Sequence, residues 1–222
     1  LFMENGKVVA IYGVDLRMTP GTYPLTLTLT DGRVIQENVV VGKKQIVSAP
    51  LGIPETLGGN TPQAEQELVN TLVEEWKIIN AIKSSEEKLW TKFAYPLTAP
   101  ITITDVYGYS RQTGGSNLAH KGTDFRAATG TPVYAIADGK VAYVGFLRNY
   151  GNVIAIDHGT KLLSIYMHLS RVDKALDDRV NKGEQIALSG DTGYVLGPHL
   201  HLTIRINNIS IDPMKFYSLL GS

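Results

Sequence analysis

The sequence has no cysteine in 222 residues, so disulfide frameworks, thiolate catalysis and cysteine-bound zinc are all excluded. It has no excess of charge either: 21 Lys and Arg stand against 21 Asp and Glu. A strongly basic chain would point to nucleic acid or an anionic membrane, and a strongly acidic one to a solvating tail. This balance supports neither, and no nucleic-acid partner is expected. No stretch approaches the roughly 18 to 20 consecutive apolar residues of a bilayer-crossing helix, so no transmembrane segment is expected in this chain. A basic and then apolar leader is missing, and the chain begins at Leu1, as a processed or trimmed piece would. Also absent are the His-Glu-x-x-His helix, the Gly-x-Ser-x-Gly elbow, the phosphate loop and the Gly-x-Gly-x-x-Gly turn, which weakens serine-hydrolase and nucleotide-dependent readings. With 43% hydrophobic residues and zero net charge the chain is not expected to be disordered, and its length suits one large or two small domains.

What is present begins as strands. Asn5-Gly6 and Asp31-Gly32 signal hairpins, and Leu25, Leu27 and Leu29 alternate with Thr26, Thr28 and Thr30 at the period of a strand with one wet face. A return strand is read over 34–41. Residues 1–48 therefore resemble a small immunoglobulin-like β module, whole or partial. Residues 49–60 are rich in Pro and Gly, as a linker is. Thr61-Pro62 then offers an N-cap and a first helical proline. Leu68, Leu72, Trp76, Ile79 and Ile82 follow at helical spacing. One amphipathic helix ending near Ser84 or Ser85 is expected, its stripe packing on a neighbouring domain, with linker and helix spanning 49–94. Beyond Pro96 the texture changes to short β runs at 133–137, 140–145, 152–157, 162–168 and 200–206, with no further helical period. The fold class expected is mainly β, with residues 95–222 forming a compact antiparallel β domain.

All five histidines fall in that second part: His120, His158, His168, His199 and His201. In His199-Leu200-His201-Leu202-Thr203-Ile204-Arg205-Ile206, strand alternation puts both imidazoles on one face and the aliphatic residues on the other. His120 and Asp124 are four apart in an extended segment, so they share a face as well. Two imidazole nitrogens and a carboxylate oxygen make a three-ligand set suited to Zn²⁺ with a fourth position open, as at catalytic sites. Spacing alone does not tell which of His199 and His201 holds the metal. Leu163, Ile165 and Met167 alternate with Ser164, Tyr166 and His168, which puts His168 on the polar face of its strand. Asp157-His158-Gly159-Thr160 reads as a hairpin turn, giving His158 a structural role. The segment 110–119, polar with two glycines, reads as a loop that could cover the site.

Together, His120-Lys-Gly-Thr-Asp124-Phe, Gly130-Thr-Pro-Val-Tyr-Ala-Ile-Ala-Asp-Gly139, Tyr166-Met-His168-Leu-Ser170 and Thr192-Gly-Tyr-Val-Leu-Gly-Pro-His199-Leu-His201 resemble the lysostaphin-type peptidoglycan endopeptidases over about residues 95–217. The N-terminal module resembles the immunoglobulin-like domain that precedes the peptidase in some exported members. The resemblance implies that His120, Asp124 and His201 bind one Zn²⁺, and that His168 and His199 are non-ligand catalytic histidines. One of the pair would serve as general base and later acid, and the other would steady the oxyanion. It further implies a substrate among peptidoglycan stem peptides or cross-bridges and a periplasmic, extracellular or wall-associated location, for a chain taken to be monomeric. The rival reading is a non-catalytic or autoinhibited wall-binding activator of other hydrolases. The complete ligand set argues against the non-catalytic form.

Overall fold

The computed structural model describes residues 2–4, 6–29, 31–44, 46–50, 52–53, 58–113 and 116–220. Asn5 of the first hairpin signal, Thr30 of the Leu/Thr alternation, Gly114, Gly115 and part of the 49–60 linker lie outside these residues. In the N-terminal part, β1 (Phe2–Glu4) pairs with β2 (Lys7–Val9), and β3 (Gly21–Thr28) pairs with β4 (Val34–Val41). The second hairpin turns through Gly32, whose φ of 84° is a left-handed value that a side chain would strain. The segment is β-rich as expected, and its described residues form two separate two-stranded sheets. β5 (Ser48–Pro50) leaves it to pair in parallel with β7 (Ser110–Thr113).

Helix α1 (Pro62–Ala81) starts where the sequence signals it. Thr61 is extended, its Oγ1 accepts from the Ala64 amide at 3.2 Å, and Pro62 occupies the first turn, where no amide is missed. It ends a turn before the expected Ser84 or Ser85, because Ile82 is already extended and the Ile79 carbonyl accepts from the Arg205 guanidinium at 2.8 Å. A distant side chain thus helps to cap the helix end.

The C-terminal part contributes β6 (Ile103–Asp105), β8 (Ser116–Ala119), β9 (Thr123–Arg126), β10 (Pro132–Tyr134), β11 (Gly139–Leu147), β12 (Gly151–Asp157), β13 (Leu162–Val172), β14 (Arg179–Val180), β15 (Gln185–Ser189), β16 (His199–Ile206) and β17 (Ile209–Ile211). A short helix α2 (Pro213–Leu220) follows, which the absence of a long helical period did not predict. Ten strands form one sheet with the order β14-β11-β12-β13-β16-β9-β6, extended by β10, β15 and β17. The segment read as a 110–119 loop is instead the β7–β8 hairpin, with Ser110 opposite Ala119.

The sheet is covered on both faces. On one face Phe125, Val133, Ile154, Tyr166, Leu202 and Ile204 build the main core together with Phe216 and Tyr217 of α2. On the other, Leu163, Ile165 and Met167 of β13 pack with Val153 and Ala155 against Ile79 and Ile82. Each such side chain stabilises the fold by about 1.5 to 3 kcal/mol relative to exposure. The histidine-bearing face of β16 is not open to water either, since residues 200–206 are all buried. Even Arg205 is fully buried, donating to the Ile79 and Asn208 carbonyls and to Asn80 Oδ1 of α1.

Candidate metal centre

Strands β9 and β16 lie side by side in antiparallel register with Asp124 opposite His201. Cross-strand partners point the same way, so backbone pairing by itself sets a carboxylate against an imidazole. His120 lies just before β9, with Nε2 3.0 Å from Asp124 Oδ1 and 3.0 Å from His201 Nδ1. His201 Nδ1 is 2.7 Å from the same carboxylate oxygen. One donor atom from each of three buried residues therefore meets at a point. The close approach needs Gly122, since a Cβ there would lie 2.4 Å from both His201 Nε2 and the Leu202 carbonyl oxygen.

The remaining ring nitrogens set which lone pairs face that point. His120 Nδ1 donates to the Val106 carbonyl at 3.0 Å, leaving Nε2 as the inward acceptor. His201 Nε2 donates to Thr203 Oγ1 at 2.9 Å, while the Thr203 hydroxyl donates to the Lys121 carbonyl at 3.2 Å, leaving Nδ1 inward. Arg111 donates to Asp124 Oδ2 and to Asp105 Oδ2, each at 2.7 Å. Burial by itself would raise the Asp124 pKa, but the His201 and His120 rings, which attract the carboxylate and donate to it whenever their inward nitrogens carry a proton, outweigh it and hold the carboxyl well below the usual range. Burial pushes His201 down to about 4, favouring the neutral imidazole. Two neutral imidazoles and an ionised carboxylate are a donor set that fits Zn²⁺ with one tetrahedral position left over.

Two more imidazoles face this point. His199 Nδ1 donates to the Gly197 carbonyl at 2.9 Å, which turns Nε2 inward to 3.8 Å from Asp124 Oδ1. The His168 ring centroid is 4.8 Å from that of His199 and 6.0 Å from that of His201. Its Nδ1 donates to the Thr192 carbonyl at 2.9 Å, again leaving Nε2 free. Burial, reinforced by the charges of His199 and His201, holds the His168 pKa well below its ordinary value.

His168 reaches the site by a route that alternation did not foresee. Ser164 and Tyr166 stand opposite Ile204 and Leu202, on the main-core face, whereas Leu163, Ile165 and Met167 share the face of His201. Strict alternation would send His168 into the main core. The β12–β13 register slips between its Ile154–Tyr166 and Asn152–Leu169 pairs, and His168 sits in that irregularity with φ 61°. A bulge of this kind re-aims a side chain, here onto the site face. His158 is elsewhere, fully buried with Nδ1 donating to the Asp138 carbonyl and Nε2 at 2.7 Å from Ser164 Oγ, a structural residue as read. Arg111 was missed, since one Arg in a polar segment carries no signal until the hairpin folds it against Asp124.

A cavity of about 710 Å³ adjoins the centre, lined by His120, His168 and His201 on one side and by Leu68, Leu72 and Trp76 of α1 on the other. Among the described residues no helix is long and apolar enough to cross a membrane.

Residues 118–213 match the model of peptidase family M23. Among curated relatives, the chain is 39% identical over 101 residues to the peptidoglycan DD-endopeptidase ShyB of Vibrio cholerae, covering 46% of this chain and 24% of that protein. It is 39% identical over 132 residues to an uncharacterized metalloprotease of Haemophilus influenzae, covering 58% of this chain and 28% of the other. The chain thus spans about a quarter of the length of these relatives. Among solved structures, a zinc-containing peptidase from Vibrio cholerae aligns with a TM-score of 0.54 and 33% identity, over 56% of this chain and 40% of that one. A Pseudomonas aeruginosa structure described as an M23 peptidase aligns with a TM-score of 0.65 and 26% identity, over 92% of this chain and 76% of the other.

Proposed function

With a C-terminal domain that belongs to peptidase family M23, we propose that this chain hydrolyses peptide bonds in the crosslinks or bridges of bacterial peptidoglycan, with His120, Asp124 and His201 holding Zn²⁺. The observation that carries this reading is the meeting of three donor atoms within 3.0 Å, with the Nε2 atoms of His168 and His199 left free beside them. When bound, the metal supplies Lewis-acid polarisation of the scissile carbonyl and acidification of a water.

The chain's own residues supply the proton handling. A buried neutral His168 has an unprotonated Nε2 able to accept a proton during attack, and the Thr192 carbonyl keeps its ring in that tautomer. His199, held by the Gly197 carbonyl, completes the pair: one ring serves as base and then acid, and the other, once its Nε2 carries a proton, donates to the developing oxyanion. Arg111 fixes Asp124 by its second oxygen, so the first stays directed at the donor cluster. The wall substrate implies a periplasmic or extracellular location. Residues 1–48 are read as an immunoglobulin-like module that spaces or docks the peptidase of 95–222. Deleting residues 1–60 is expected to alter hydrolysis, targeting or regulation, and no change in any of them removes that role.

The test is metal content of the purified protein paired with release of new amino termini from sacculi, with and without chelator. About one zinc per chain and chelator-sensitive release are expected. Zinc without release would favour the autoinhibited or activator reading, and no zinc would overturn the site.

A further inference from the structure

Helix α1 does more than cover apolar surface. Glu75 is buried and its carboxylate accepts from the Asn149 amide at 3.0 and 3.2 Å and from Asn149 Nδ2 at 2.9 Å. Asn149 is itself 2% exposed, and its Oδ1 has no hydrogen-bond partner among the described residues. It lines the same cavity as His120, His168 and His201. The next residue, Tyr150, accepts through its carbonyl from the His168 amide at 2.9 Å, so the Asn149 turn is tied directly to a site histidine.

Anchoring the helix does not require a carboxylate at this place. Ile79 and Ile82 already pack into the sheet, and Leu68 packs with Tyr194. Burying a carboxylate is costly unless donors are waiting for it, and here two N–H groups of one turn are. Meanwhile His120, Asp124, His168 and His201 are each at most 8% exposed, so a crosslinked polymer cannot reach them while α1 lies across the cleft.

Resting on the hydrolase reading above, we propose that the Asn149 turn is a carboxylate subsite of this cleft, filled in this structure by Glu75, and that an extended peptide bearing a free carboxylate displaces α1 on binding. The amide and Nδ2 of Asn149 take the carboxylate, and its unpartnered Oδ1 accepts a neighbouring peptide N–H. Peptidoglycan stem peptides, which carry several free carboxylates, have this chemistry.

The test uses the full zinc-loaded chain and two probes, an Ala-D-Glu-Lys-D-Ala peptide with free carboxylates and the same peptide with them amidated. Affinity is measured together with amide hydrogen exchange over residues 62–81. The acidic peptide is expected to bind about tenfold tighter than the amidated one, the scale of a charged hydrogen-bond set, and to raise exchange across the helix. Glu75→Ala should raise helix exchange without peptide and tighten the acidic peptide further, and Glu75→Gln should do so less. Equal affinity for the two probes, no binding by either, binding with helix exchange unchanged, or no gain in either Glu75 variant each overturns the proposal. Neither readout needs turnover, so helix displacement with sacculi left uncut would sink the hydrolase reading and leave the subsite standing.

Discussion

The β3–β4 hairpin and the β13–β16 pair are both antiparallel ladders, yet they live in opposite surroundings. In the hairpin Leu25 and Leu27 are only half-buried, and Val34, Ile35 and Val40 are exposed, the last by 77%. In the other pair the aliphatic residues and their polar neighbours alike are buried, because α1 roofs one face and the main core fills the other. Two-residue alternation identifies a strand in both cases. It does not say whether the polar face meets water, since that depends on an element up to 126 residues away in sequence, as the Arg205–Ile79 bond shows. A histidine on a wet strand is an ordinary surface group. On a roofed one it is desolvated and coupled to its neighbours, which is what site chemistry uses.

This contrast can be broken hardest at the site. His120→Ala or Asp124→Ala is expected to abolish zinc occupancy and all hydrolysis, whereas His168→Ala keeps zinc and loses about 10² to 10⁴ in rate. Metal analysis and sacculus assays on the same samples check both, and an active His168 variant would show its role to be misassigned.

A second contrast concerns stability. Leu202→Ala in the fully buried ladder should cost about 2 to 5 kcal/mol, and Val40→Ala on the exposed hairpin less than about 0.5 kcal/mol. Urea denaturation of the two variants measures the gap, and equal costs would mean that the hairpin is covered in solution.

Acid sharpens the comparison further, because only the roofed domain holds histidines. Burial pushes His158 down to about 4 from 6.5, against smaller raising effects of the Asp138 carbonyl and of the Asp157 and Asp138 charges. The unfolded chain then binds a proton between these values that the folded chain refuses. Stability is whole above pH 6.5 and falls as the pH drops toward 4, by roughly 3 kcal/mol. Denaturation midpoints across that range should show the slope, and His158→Asn should remove the His158 share of it while leaving that of His168 and His201, which burial also holds down. A small effect is also expected of Arg148→Ala, which breaks the solvent-exposed pair with Glu67: it should cost under about 1 kcal/mol and vanish in high salt.

Much of the site was legible because its signals are local. His199 and His201 two apart, and His120 and Asp124 four apart in extended chain, need only strand geometry to share a face. His168 does not follow the alternation: the pattern assigned it the side of Ser164 and Tyr166, and a bulge with φ 61° moves it away from them. Such a slip costs no residue type and leaves no mark in hydropathy. Arg111 and Glu75 were illegible for a related reason. Arg111 is one charged residue in a polar stretch and Glu75 one of two adjacent glutamates on an amphipathic helix, and each is given its role by a residue far along the chain, Asp124 and Asn149, 13 and 74 residues on.

By itself the sequence determined the strand texture, the start of α1 at Thr61-Pro62, the absence of thiol chemistry and the residue types able to hold zinc. These follow from short-range sterics, capping and donor chemistry, which act within a few residues. Only the tertiary structure decided which nitrogen of each imidazole faces inward, where α1 stops, how His168 turns and that the cleft lies under a helix. Those outcomes depend on carbonyls, guanidiniums and aliphatic faces brought together from distant parts of the chain.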